Sequence, residues 1–124
     1  MVDLPNISDA EWRVMQEVWD AAPITAAQIV DRLADDTDWN PRTIKTMLGR
    51  LVRKGVLTYT AEGNRYLYRS AVSRATCVRE ESRSFLDRVF AGNTSLMLSH
   101  LVRHSKLTPA DIAELKRTLK QKGQ

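Results

Sequence analysis

Cysteine is almost missing from this chain: Cys77 is the only one in 124 residues. One thiol excludes a disulfide framework and a four-cysteine zinc site within a single chain. Long apolar runs are missing too, and none approaches the roughly 18–20 residues that a membrane span needs. There is no Gly-rich phosphate loop and no G-x-S-x-G nucleophile motif. The acidic group Asp31, Asp35, Asp36 and Asp38 falls at a helix end and the loop after it, where aspartate serves turns rather than acid–base chemistry. The expectation is a protein that is not an enzyme and has no cofactor or metal. The opening Met-Val-Asp-Leu-Pro lacks the basic and apolar regions of a signal peptide, so a cytoplasmic protein with no membrane insertion is expected.

What is present is ordinary globular composition, 43% hydrophobic and 27% charged, in a length that suits one small domain with an extension. The net charge of +4 hides a strong asymmetry. Residues 1–39 carry nine acidic side chains against Arg13 and Arg32, a net of −7. Residues 40–79 carry nine basic side chains against Glu62 alone, a net of +8, and residues 80–124 add +3. A basic block inside an otherwise acidic-to-neutral chain is the footprint of a phosphate-backbone binder, although a solvated basic face has the same composition.

Three helix starts share one grammar. Ser8-Asp9-Ala10-Glu11 is a capping box flanked by Ile7 and Trp12 as a hydrophobic staple, and Pro23 stops the helix that follows. Thr25-Ala26-Ala27-Gln28 repeats the box, with Ile24 and Ile29 as staple. Asn40 caps a third helix with Pro41 in its favoured first position and Trp39 facing Ile44, and Gly55 ends it after Lys54. The three tryptophans (Trp12, Trp19, Trp39) occupy staple and stripe positions and read as core. From Leu57 to Arg69 the period changes to that of strands, with Gly63-Asn64 as a two-residue hairpin loop. Pairing Glu62 with Arg65 puts Leu57, Tyr59, Ala61, Tyr66 and Tyr68 on one face, and Thr58, Thr60, Leu67, Arg65 and Arg69 on the other.

The expected fold is mainly α with a small β-hairpin wing: a winged helix-turn-helix DNA-binding domain over 1–71, then a helical dimerisation domain over 72–124. The tail should form helices at about 73–91, around Leu96–Val102, and from Thr108-Pro109 onward. It is too apolar for a solvated arm and too thin to fold alone. A second copy of the chain is the simplest cover, through Phe85, Val89, Phe90, Leu98, Leu101, Ile112, Leu115 and Leu119. Folding back over its own helix cluster is the alternative.

On the third helix, steps of about 100° per residue gather Ile44, Met47, Leu48, Leu51 and Val52 on one side. The other side receives Arg42, Thr43, Thr46, Gly49, Arg50 and Arg53, flanked by Lys45 and Lys54. Long cations mixed with short hydroxyls suit a major groove: arginine and lysine reach guanine edges and phosphates, and threonine offers a hydroxyl or methyl to a base. Arg65 at the hairpin tip is placed to meet a phosphate or a minor groove.

The stretches Ser-Asp-Ala-Glu-Trp-Arg-Val-Met (8–15), Asp-Trp-Asn-Pro-Arg-Thr-Ile-Lys-Thr-Met-Leu-Gly-Arg-Leu-Val-Arg-Lys-Gly (38–55) and Gly-Asn-Arg-Tyr-Leu-Tyr (63–68) resemble the BlaI/MecI family of penicillinase and methicillin-resistance repressors. The resemblance implies a homodimeric repressor of a palindromic double-stranded operator, controlling β-lactam-resistance or related stress genes. It also implies relief by a membrane sensor protease acting on the tail. By motif match, Asn40, Arg42, Thr43, Thr46, Arg50 and Arg65 are the implied DNA contacts, to which the helix face adds Lys45 and Arg53. The family's cleavage point is an Asn-Phe pair; the corresponding stretch here is Ser99-His100-Leu101, without that pair. The cysteine-rich motif of copper-responsive relatives is absent from this chain.

Other readings compete. One is a repressor that senses a small molecule directly, and another is a winged-helix protein-interaction module. His100 and His104, one helical turn apart, have a spacing that can bind zinc but no local carboxylate or cysteine, and read as surface or interface residues. Cys77 reads as a packing residue, with an intersubunit disulfide as the alternative.

Overall fold

The computed structural model describes residues 6–123; the first five residues of the expected DNA-binding domain, and Gln124 of the expected tail domain, lie outside the described residues. The first three helices begin where the sequence provides a cap. Helix α1 (Asp9–Ala21) starts at Ser8, whose hydroxyl accepts from the Glu11 amide while the Glu11 carboxylate accepts from the Ser8 amide. Helix α2 (Ala26–Leu33) repeats the box with Thr25 and Gln28. Helix α3 (Pro41–Arg53) starts at Asn40 and ends in a Schellman arrangement: the amide of Gly55, at φ +82°, donates to the Val52 carbonyl and the Val56 amide to the Leu51 carbonyl.

Strands β1 (Leu57–Glu62) and β2 (Arg65–Ser70) form the expected antiparallel hairpin, with Glu62 opposite Arg65 and Tyr59 opposite Tyr68. Gly63 takes φ +63° at the first loop position, the conformation such a two-residue turn needs. Ile24, before α2, exchanges both backbone hydrogen bonds with Tyr68 (2.8 and 3.2 Å) and so ties the hairpin to the helices. The core lies where α1, α2, α3 and β2 converge. Val14, Met15, Val18, Ile29, Ile44, Leu48, Leu51 and Val56 are buried there. Burying each such side chain stabilises the fold by roughly 1.5–3 kcal/mol. The order helix–helix–helix–hairpin is a winged helix-turn-helix, as expected.

Three further helices follow: α4 (Arg74–Phe90), α5 (Thr94–His104) and α6 (Pro109–Lys122). Asn93 caps α5, and Thr108 with Asp111 makes a third capping box at α6. The chain divides into two compact units, one ending at Glu80 and one beginning at Glu81. The first two turns of α4 therefore belong to the winged unit, and Cys77 is part of its core. Among the described residues, no helix is long and apolar enough to cross a membrane.

Candidate nucleic-acid interface

The amphipathic reading of α3 holds, with Val52 of the expected inner side only half-buried. Ile44, Met47, Leu48 and Leu51 are buried, whereas Arg42, Lys45, Thr46, Arg50 and Arg53 are exposed and Thr43 and Gly49 are partly so. The elements hold this face by local bonds. The Asn40 Oδ1 accepts from the Thr43 amide (2.9 Å), so Asn40 is first a helix cap, with its amide NH2 left to reach outward. The Thr46 hydroxyl donates to the Arg42 carbonyl (2.9 Å), which orients its methyl and its remaining lone pairs. A Cβ added at Gly49 would meet only Arg53 Nη1 at an ordinary 3.5 Å. Among the described residues, nothing demands glycine on this face.

Several cations of the winged unit are paired with carboxylates, and those on the outer face of α3 are not. Arg13 pairs with Asp36, Arg32 with Glu17 and Arg74 with Asp20. Among the described residues, no carboxylate pairs with Arg42, Lys45, Arg50 or Arg53. Lys54, on the flank of the same helix, is turned away from it: its Nζ donates to Glu11 Oε1 at 2.6 Å and to the Asn6 carbonyl at 2.9 Å. Sequence reasoning missed this pair, because it joins positions 43 apart and no local pattern announces it. Glu11 is buried, which alone would raise its carboxyl pKa. Hydrogen bonds from Lys54, the Ser8 amide and the Ser8 hydroxyl, together with the Lys54 charge, outweigh burial and bring it below the ordinary value.

On the wing, Arg65 stands at the tip within 3.5 Å of Glu62, both largely exposed, a pairing weak enough for a phosphate to displace. Arg69 donates to the Thr60 hydroxyl on the same face. Only Tyr68 of the wing tyrosines is buried; Tyr59 and Tyr66 stack on one another at the surface, 4.2 Å between ring centroids.

The remaining predicted positions lie in the tail. Phe85, Val89, Leu98, Leu101, Ile112, Leu115 and Leu119 are 41–65% exposed in the single chain, and Phe90 is half-buried beside Phe85 and His100. Ser99, His100 and Leu101 are inside α5 rather than in a loop. The His100 and His104 rings are 4.4 Å apart, and among the described residues no third metal-ligating group joins them. Cys77 is 2% exposed, packed into the winged core, and burial raises its thiol pKa.

A family profile described as penicillinase repressor matches residues 7–121. The chain belongs to the penicillinase-repressor family. Members of this family are transcriptional repressors, not enzymes. The penicillinase repressor of Bacillus licheniformis is 32% identical over 121 residues, spanning 98% of this chain and 94% of that one. The methicillin resistance regulatory protein MecI of Staphylococcus aureus strain N315 is 29% identical, spanning 94% and 95%. Among solved structures, the Bacillus licheniformis BlaI monomeric form in complex with the blaP half-operator is 36% identical. It superposes with a TM-score of 0.53 over 60% of this chain and 92% of that one.

Proposed function

We propose that this penicillinase-repressor family member is a homodimer that represses transcription by binding a palindromic operator in double-stranded DNA, one winged unit per half-site. The observation that carries the reading is the outer face of α3, where four cations stand without an acidic partner among the described residues. A chain with 15 acidic side chains could have neutralised them and has not. In this reading Arg42 and Arg50 reach guanine edges, Thr43 and Thr46 offer methyl and hydroxyl groups to bases, and Lys45 and Arg53 meet phosphates. Asn40 adds its free amide at the helix start, and Arg65 carries the wing to the backbone or minor groove. The BlaI relative solved as a monomeric form with a half-operator supports one winged unit per half-site.

Dimerisation comes from the apolar side chains of α4, α5 and α6, which the single chain leaves uncovered. Tethering two winged units makes the second half-site encounter nearly intramolecular and raises affinity by roughly 10²–10⁴. Cutting the tail removes that factor without touching a DNA contact, which suits relief by proteolysis at Ser99-His100-Leu101. The controlled genes in this reading are those of β-lactam resistance or a related stress. Titrating the full chain onto a duplex enriched from a random pool and onto random duplex, at 50 and 200 mM salt, tests the reading. Both affinities should fall steeply with salt, and the enriched duplex should stay at least about 10³-fold tighter. Equal affinity for the two duplexes would overturn it.

A further inference from the structure

The passage from wing to tail is held at several points by residues of α1. The Trp19 indole Nε1 donates to the Ser70 hydroxyl (3.0 Å) and to the Val72 carbonyl (3.1 Å). Ser70 and Val72 are also bonded to each other, through the Ser70 hydroxyl to the Val72 carbonyl and the Val72 amide to Ser70 Oγ. Two residues on, Arg74 Nη2 donates to Asp20 Oδ1 at 2.5 Å and to the Gln16 carbonyl at 3.4 Å, and its guanidinium lies 5.5 Å from the Trp19 ring centroid. One turn later Cys77 is sunk into the winged core. Residues 16, 19 and 20, all on the last turns of α1, thus grip the chain from the end of β2 to the first residue of α4.

We infer that Arg74, held by Asp20 and Trp19, is a positioning residue that fixes the direction in which α4 leaves the winged unit, and with it the half-site spacing the dimer accepts. Cys77 alone is a pivot. A second anchor one turn away on the same helix turns the pivot into a fixed direction. The Arg74 and Asp20 side chains are 48% and 51% exposed, so their pairing adds little to fold stability. Its value is geometric: a tethered second site gains affinity only when the tether's geometry matches the span.

The inference rests on the dimeric reading above, and the test separates the two. R74A and D20A full-length variants are titrated onto a single enriched half-site duplex and onto duplexes carrying two half-sites, with zero to four base pairs inserted between them. The unaltered chain should favour one spacing. Both variants should bind the single half-site within twofold of the unaltered chain, lose about three- to fivefold at the favoured spacing and show a flattened preference across the series. A swapped D20R/R74D variant should recover part of the preference. A spacing profile in R74A identical to that of the unaltered chain, with circular dichroism showing both folded, would overturn the inference. If the unaltered chain binds paired half-sites no better than single ones, the dimeric reading fails and the positioning role fails with it.

Discussion

A carboxylate whose side chain is 3% exposed and lies 2.6 Å from an ammonium has to be charged for its surroundings to remain satisfied. That is the position of Glu11, whose folded pKa lies below the ordinary 4.5. A carboxyl depressed by folding contributes stability that is complete above its unfolded pKa and is lost as pH falls through the folded value. The Glu11 contribution should therefore be intact at neutral pH and disappear below about pH 4.5. E11Q should cost about 1–3 kcal/mol at pH 7, because it leaves Lys54 beside a neutral group. It should also flatten the decline in urea midpoint between pH 5 and pH 3, whereas a decline as steep as in the unaltered chain would contradict this role. Half of the Glu11 environment is readable in the sequence and half is not. The capping contact with Ser8 is three residues long and local chemistry dictates it, whereas Lys54 arrives from the far end of α3 through tertiary packing. The same applies to Trp19: its place in the apolar stripe follows from helical period, but its bonds to Ser70 and Val72, 51 and 53 positions away, do not.

Among the elements, those whose ends are set by short-range chemistry match expectation within a residue or two. Caps at Ser8, Thr25, Asn40 and Thr108 fix four helix starts, and a two-residue loop fixes the hairpin register. The partition of α4 is different. Its sequence runs on as one helix from Arg74, and nothing in its period shows that Cys77 packs inward on the winged side. Helices α5 and α6 hold no buried residue in the single chain, an arrangement that leaves their apolar stripe without the burial that normally stabilises a helix. A dimer through this stripe makes a sharp prediction for I112D/L115D. The variant should sediment as a monomer, keep its affinity for a single half-site, and lose about 10²-fold on a paired site. A variant that sediments as a dimer would contradict an interface through this stripe.

For the whole molecule, charge is distributed by function rather than by composition. The −7 block over residues 1–39 and the +8 block over residues 40–79 fold into one unit, and the structure uses acidic side chains to pair Arg13, Arg32, Lys54 and Arg74. Among the described residues the cations on the outer face of α3 receive no such partner, and the wing arginine at the hairpin tip has only a weak one. Sequence periodicity predicted the face; only the structure separates its available charges from Lys54, which the fold consumes. The most direct measurement is the affinity of an R42A/R50A full-length variant for the enriched duplex, taken beside its thermal melt and sedimentation. A folded dimer should bind more weakly by at least about 1–3 kcal/mol for each base-reading arginine removed, and its salt slope should be shallower if either arginine also neutralises a phosphate. A folded dimer that grips the duplex as tightly as the unaltered chain would contradict the account.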